Sequence, residues 1–226
     1  MLELENICVR NVLNDLNLKV DDGEFVVIVG ENEAGKSTLF NVISASIKPR
    51  SGKVFINGKN MNLLPSREKT MIVSNVLQDP KLGTIGNMTI LENLKIAYKR
   101  GQKRFCSISS GSLKNSFKER LSILKMGLEN RLDEYVKNLS GGQRQALSLV
   151  MSTLSDYEIL LLDEITASLD KKSSSIVMEI AKDIAKRDNK ICLTITHDLN
   201  YLSTFRGKIL ELKDGRLQKW IKSNSL

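Results

Sequence analysis

The sequence predicts an α/β protein in which a helical insertion of about 60 residues interrupts a sheet-forming core. Three observations predict it. Short β-rich runs alternate with helical apolar spacing up to about residue 79. Between about 80 and 140 the strand-like runs vanish and helical spacing takes over. After 140 the alternation resumes, so 1–226 reads as a single domain with a core of 1–79 and 141–226.

Residues 2–4, 16–20 and 25–29 read as strands, the last apolar throughout, as in a strand buried on both faces. A helix is expected from Lys36 to about Ile47, stopped near Pro49. Residues 54–56 with Asn57-Gly58 give a strand entering a tight turn, and residues 72–77 give the next strand. In the insertion, Phe117, Leu121, Leu124 and Leu128 recur at helical spacing, and the Ser/Gly-rich residues 107–112 are expected to form a loop. Leu147, Val150, Met151 and Leu154 mark one face of a further helix. Apolar runs at 159–162, 191–196 and 209–212 supply the remaining strands, the last before an Asp214-Gly215 turn. No internal repeat and no low-complexity linker is present.

With 226 residues and 41% hydrophobic content, the chain can bury one sizeable core. No run approaches the ~18 apolar residues of a membrane span, and MLELENICVR carries acids where a secretory leader carries bases, so a cytosolic protein is expected. Cys8, Cys106 and Cys192 suggest neither a disulfide framework nor a zinc site, and Cys192 reads as a small buried hydrophobe. The net charge is +8, but basic residues are dispersed. Their densest cluster, residues 99–104, lacks the interleaved aromatics of a base-stacking platform, so a solvated basic face is expected and nucleic acid is not.

Gly30-Glu31-Asn32-Glu33-Ala34-Gly35-Lys36-Ser37-Thr38 matches GxxxxGK[ST], directly after an apolar strand and before a helix. Its glycines let successive N–H groups point at phosphate oxygens, and the helix adds its positive N-terminal end. Lys36 should reach the β and γ phosphates of ATP, and the Ser37 hydroxyl should ligate Mg²⁺. Downstream, an apolar strand ends in Asp163-Glu164. Asp163 at a buried strand's tip can hold the Mg²⁺ through water. Glu164, expected to point the other way along the strand, suits a base that polarises the attacking water. Leu139-Ser140-Gly141-Gly142-Gln143 opens a helix with Ser140 as its N-cap, and the N–H groups of Gly141 and Gly142 form a second anion site. Two such sites can share one γ-phosphate if two chains face each other.

With LSGGQ about 105 residues after the phosphate loop and Asp163-Glu164 about 20 residues further on, the chain resembles the ATP-binding subunits of ABC transporters over nearly its full length. The resemblance implies a P-loop NTPase core with an antiparallel β subdomain and an inserted α-helical subdomain, binding ATP and Mg²⁺ through the phosphate loop, Ser140, Gly141, Gly142 and Gln143. It makes Gln78 a sensor of Mg²⁺ and the attacking water that also contacts the membrane partner. It places Ala167-Ser168-Leu169-Asp170 across a dimer interface and His197, the only histidine, against the γ-phosphate. Glu164, His197, Lys36 and Gln78 are then the catalytic set, with Ser37, Gln78 and Asp163 at the metal.

The family usually stacks an aromatic ring on adenine, but the expected positions hold Val9, Arg10 and Asn11. Val9 is expected to pack on the base, or Arg10 to stack over it. Ile165 stands where the family has proline, Ala167-Ser168 inverts its Ser-Ala, and Glu33 replaces a loop glycine and is expected to point outward. The resemblance implies an importer motor: a homodimer closing on two ATP molecules, peripheral on the cytoplasmic face of the membrane and soluble in isolation. Its partners would be permease subunits and an extracytoplasmic solute-binding protein. QDPKLGTIGNMTILENLKIAYKRG further resembles subunits of amino-acid uptake systems, including those for tryptophan or tyrosine. GENEAGKST also resembles recombination-repair and SMC-type ATPases, but those place a long coiled coil where this chain has about 100 residues without sustained heptads. A nucleotide-binding regulator without turnover is disfavoured by Lys36, Asp163, Glu164 and His197 occurring together.

Overall fold

The computed structural model describes residues 1–100, 110–167, 169–197 and 199–222. Strands β1 (Leu2–Val9) and β2 (Leu13–Val20) pair as an antiparallel hairpin. Both are longer than their apolar runs predict. Register shifts between Leu4 and Val9, with Asn6 and Asp15 at φ of 49° and 52°, keep Leu2, Leu4, Ile7 and Leu16 buried along one continuous face.

β3 (Phe25–Val29) leads into α1 (Lys36–Ile43). This helix stops short of Ile47 because Ala45 turns left-handed, at φ 55°, and the Asn41 carbonyl takes the N–H groups of Ser46 and Ile47. β4 (Ser51–Ile56) and β5 (Lys59–Asn60) meet at Asn57-Gly58, whose φ values of 49° and 74° make the expected tight turn. The unpredicted α2 (Ser66–Ile72) takes the first residue of the expected 72–77 strand and leaves β6 (Val73–Val76).

The insertion consists of α3 (Pro80–Gly83), α4 (Ile90–Tyr98), α5 (Ser110–Ser122) and two 3-10 turns, Leu128–Asn130 and Val136–Asn138. Residues 110–112, expected in a loop, form the first turn of α5, where small polar residues are as favourable as in a loop. Residues 107–109, Cys106 and residues 101–104 of the basic cluster lie outside the described residues. Phe117, Leu121, Leu124 and Leu128 are all buried, although the helix ends before the last two.

The chain continues through α6 (Gly141–Ser152), β7 (Ile159–Asp163), α7 (Lys171–Asp188), β8 (Ile191–Ile195), α8 (Leu199–Thr204), β9 (Lys208–Lys213) and β10 (Arg216–Lys222). Helix α7 is not anticipated by the sequence reading. Its Lys/Ser-rich first turn conceals the stripe of Val177, Ile180, Ala181 and Ile184 that it buries.

The main sheet has the order β10-β9-β3-β8-β7-β6, parallel except for β10, and the smaller antiparallel sheet has the order β2-β1-β4-β5. Alternation along β3 sorts the core. Val26 and Ile28 pack with α1 and the small sheet, while Val27 packs with α6, α7 and the insertion. The neighbours β3, β8 and β7 are parallel, so their carboxyl ends release their loops side by side. That is where open α/β sheets place their ligands.

Candidate functional site

The phosphate loop leaves β3 at Gly30, where a Cβ would lie 2.2 Å from the carbonyl oxygen of Leu212 in β9. Only glycine admits that approach. Gly35 caps α1 at φ 100°, and its absent Cβ would lie 2.8 Å from Leu13 Cδ2. Lys36 is 6% exposed and its Nζ donates to the carbonyls of Gly30 and Glu31, both at 2.7 Å, so the ammonium spans the loop from within. Burial lowers its pKa from the ordinary lysine value, with Glu164 and then Asp163 opposing. Glu31, Asn32, Glu33 and Ser37 are exposed, Thr38 is partly so, and Ala34 is buried. Glu33 is exposed at φ 66°, a conformation that suits the glycine it replaces, and it lines the cavities at the phosphate loop instead of standing clear of them. A cavity of about 460 Å³ opens between Val12, Glu33, Ser37, Thr38 and Glu164.

Asp163 ends β7, and its carboxyl is raised above the usual range by burial first and by Glu164 second, with Lys36 pulling it back. Glu164 does not continue the strand's alternation as expected. It lies past the strand end at φ 48°, with its N–H donating to the Ile195 carbonyl at 3.1 Å, and this left-handed turn redirects its side chain. The side chain meets His197, whose Nε2 lies 3.1 Å from Glu164 Oε1. Glu164 also lines a second cavity, of about 400 Å³, with Ala167, Leu169, Thr196 and His197. One carboxylate therefore faces the phosphate loop and the histidine together.

Ser140 caps α6 reciprocally. Its side chain accepts from the Gln143 N–H at 3.3 Å, and Gln143 Oε1 accepts from the Ser140 N–H at 3.2 Å. Gly142 is buried against the start of α7, where an added Cβ would lie 3.0 Å from both Cβ and Oγ of Ser173. None of residues 140–143 lines the phosphate-loop cavity of its own chain.

A family model described as ABC transporter matches residues 13–167, from the start of β2 to the turn after Glu164. The chain belongs to the ABC transporter family. A tyrosine transport ATP-binding protein of Clostridioides difficile (strain R20291) is 43% identical over 93 residues, 41% of this chain and 37% of that relative. The choline transport ATP-binding protein OpuBA of Bacillus subtilis (strain 168) is 33% identical over 104 residues, 44% of this chain and 27% of that relative. The match thus spans between about a quarter and little more than a third of these relatives' lengths. The ATP-binding cassette MJ0796, solved as a dimer in a post-hydrolysis state with ADP and Pi, superposes with a TM-score of 0.81 at 27% identity, covering 100% of both chains.

Within this ABC transporter fold, Val9 and Arg10 sit otherwise than a contact with the base requires. Val9 pairs with Leu13 in the β1–β2 register and packs on the small-sheet core, so Val12 lines the cavity in its place. The turn between them is only three residues long and closes by a Val12 N–H bond to the Val9 carbonyl at 3.0 Å. Arg10 is exposed and lines neither cavity at the phosphate loop. Asp170 caps α7: Oδ1 accepts from the N–H groups of Lys172 and Ser173 at 3.0 Å, and Oδ2 from Ser173 Oγ at 2.6 Å. These bonds hold its pKa below the usual carboxylate range. Ser168 lies outside the described residues.

Gln78 is exposed just beyond β6, beside a contact the sequence reading missed. Gln145 of α6, 0% exposed, donates from Nε2 to the carbonyl of Leu77 at 3.1 Å. The helix that opens on the LSGGQ segment, the signature of residues 139–143, is thereby tied to the chain segment carrying Gln78. The available signal was a glutamine at an inward position of a helix whose buried face carries only two other polar side chains, Ser148 and Ser152.

Proposed function

We propose that this chain is the ATP-hydrolysing subunit of a membrane importer, working as a pair of copies that close on two ATP molecules. The observation that carries this reading is Glu164, held at 3.1 Å from His197 and open to the cavity above the phosphate loop. In that arrangement Glu164 polarises the attacking water and His197 orients the carboxylate. Lys36 and the loop N–H groups hold the phosphates. The signature helix completes the site from the opposite copy, consistent with residues 140–143 lying off their own chain's cavity.

Mg²⁺ fits the donor set. The half-buried Asp163 has its carboxyl raised by burial and by Glu164, a strain that a bound cation would relieve, and Ser37 offers an exposed hydroxyl. Ser37, Asp163 and Gln78 would hold the ion, which would neutralise charge on the transferred phosphoryl group.

For the membrane partner, Leu77, Leu82 and Ile85 are exposed apolar residues around Gln78 and the start of the insertion, a surface suited to a permease segment. Among the described residues no helix is long and apolar enough to cross a membrane. Attachment at the cytoplasmic face would therefore run through that partner, with a solute-binding protein on the far side. The named roles of the tyrosine and choline transport relatives favour a transport motor, and the tyrosine transport relative favours an amino-acid-type solute. Between phosphate loop and signature no described helix exceeds the 13 residues of α5, which leaves the DNA-repair reading without its coiled coil.

The test is Glu164→Gln. The variant should bind ATP, lose turnover and accumulate as a stable dimer by size-exclusion chromatography, while Lys36→Ala should lose ATP binding. Ordinary hydrolysis in Glu164→Gln would refute the assignment.

A further inference from the structure

We infer that the helical insertion docks on anionic lipid headgroups, through the outward face of α4 and the neighbouring Tyr135 and Lys137. The inference rests on the membrane-motor reading above and adds the bilayer surface to the permease as something this chain binds.

Basic residues are dispersed along the sequence, but their excess is not. Residues 80–140 hold 12 of the chain's 34 Lys and Arg but only 5 of its 26 Asp and Glu, which gives the insertion +7 of the net +8. Three of its five acids are already engaged. Glu92 accepts from the N–H and the hydroxyl of Thr89 at 2.8 and 3.0 Å. Glu134 is held by the Arg131 guanidinium at 2.6 and 2.7 Å, and Asp133 lies 3.9 Å from Lys114. Lys95, Lys99, Lys118, Lys125 and Lys137, by contrast, are exposed, and none pairs with a carboxylate among the described residues. The insertion therefore offers its positive charge to an anionic partner outside the chain.

The outer face of α4 has the mixed character that a headgroup layer selects. At 3.6 residues per turn, Lys95, Ile96 and Lys99 fall within about 100° of arc. Ile90, Asn93 and Leu94 are buried on the opposite side. Ile96 is 49% exposed beside the two ammonium groups. It can enter the acyl boundary while the lysines reach phosphate oxygens above it. Tyr135 is 48% exposed, with Lys137 Nζ 5.4 Å from its ring centroid. Tyrosine is among the residues that settle at headgroup depth, ring inward and hydroxyl wet.

Backbone pairing sets these features side by side. The Ile90 N–H donates to the Glu134 carbonyl at 2.9 Å, that of Val136 to Met88 at 3.0 Å, and that of Lys137 to Gly86 at 3.0 Å. Tyr135 thus lies opposite Thr89, the N-cap of α4. Lys137 adjoins Gly86 and so the exposed Ile85, one of the residues assigned above to the permease contact. The lipid-facing surface is continuous with that contact, as a bilayer surrounding a permease demands. Duplex nucleic acid would match the charge but offers no apolar layer for Ile96.

The test is co-sedimentation of the intact chain with vesicles of phosphatidylcholine alone or with phosphatidylglycerol added, in the absence of nucleotide and permease. Binding should require phosphatidylglycerol and weaken as salt is raised. Each lysine near an anionic surface raises affinity about fivefold. The triple variant Lys95→Gln, Lys99→Gln, Lys137→Gln should therefore lose roughly 100-fold, with ATP turnover and melting temperature at the parent's values. Ile96→Ser should weaken binding by roughly three- to tenfold. Equal binding to both kinds of vesicle, binding to neither, or undiminished binding by the triple variant overturns the inference. So does tighter retention on duplex DNA than on the anionic vesicles. Because the assay holds no nucleotide, ordinary hydrolysis in Glu164→Gln, which would refute the ATPase assignment, leaves this result intact.

Discussion

Replacing Gly142 by alanine sets two effects of similar size against each other. Inside a helix alanine is favoured over glycine by ~0.8–1.0 kcal/mol, which alone would stabilise α6. The new Cβ, however, would lie 3.0 Å from both Cβ and Oγ of Ser173, against ~3.5–4.0 Å for a relaxed carbon contact. Overpacking of this kind costs ~1–3 kcal/mol. The contact should win by about 1 kcal/mol, lowering the melting temperature of a chain this size by roughly 2–4 °C. Ser173→Gly deletes both contacted atoms, so in that background Gly142→Ala should become stabilising, giving a coupling of about 2 kcal/mol between the sites. Four thermal melts by circular dichroism supply the cycle, in which the separate loss of the Ser173 bond to Asp170 cancels. Additivity of the two substitutions within ~0.5 kcal/mol would refute the reasoning.

Asp163→Asn should raise the melting temperature of the nucleotide-free chain at neutral pH while abolishing Mg²⁺-dependent turnover. The carboxyl is raised by burial and Glu164, so the folded state favours its protonated form. Its ionisation therefore destabilises the fold above the raised pKa, and that penalty fades as pH falls through it toward the ordinary Asp value. The gap in melting temperature between variant and parent should accordingly close on acidification, and a gap that is constant from neutral pH down to about 4 would reject this account. Arg100 is mostly buried after α4 and donates to the carbonyls of Thr70 and Val73, at 2.6 and 3.1 Å, and to Ser74 Oγ at 3.4 Å. It thus ties the insertion to β6. Arg100→Ala should cost about 1.5–3 kcal/mol, a drop of roughly 4–8 °C in differential scanning calorimetry, with Arg100→Lys recovering only part.

The site was legible where its chemistry is contiguous. Residues 30–38 carry strand, loop and helix start in one stretch, and Asp163-Glu164 close an apolar strand, so local pattern located both. His197 was placed by the family resemblance, and the fold sets it just after β8, the parallel neighbour of β7. What escaped depends on geometry that spacing does not encode. Three residues of turn decide that Val12 and not Val9 meets the cavity. The redirection of Glu164 comes from one left-handed residue, and the tie from Gln145 to Leu77 joins positions 68 apart in sequence. In the fold, α7 escaped because Lys171 to Ser175 are polar throughout, although Asp170 in front of them is a strong N-cap. The bulged ends of β1 and β2 break the alternation that marks a strand, and their lengths were missed for that reason.

The closeness of Gly30 to the Leu212 carbonyl bears on how this protein is made. The bed of the phosphate loop is supplied by β9, about 180 residues downstream, and both sheet neighbours of β3 come from the last 36 residues of the chain. At ~5–20 residues per second, a ribosome needs roughly 10–40 s to deliver Leu212 after it has made Gly30. Until β8 is made, late in that interval, the apolar strand Phe25–Val29 has neither of its partners. A growing chain would thus carry an intact nucleotide motif without a nucleotide site. Truncated translation products should be unable to use ATP as a folding ligand, and protection of Phe25–Val29 before release falls to chaperones.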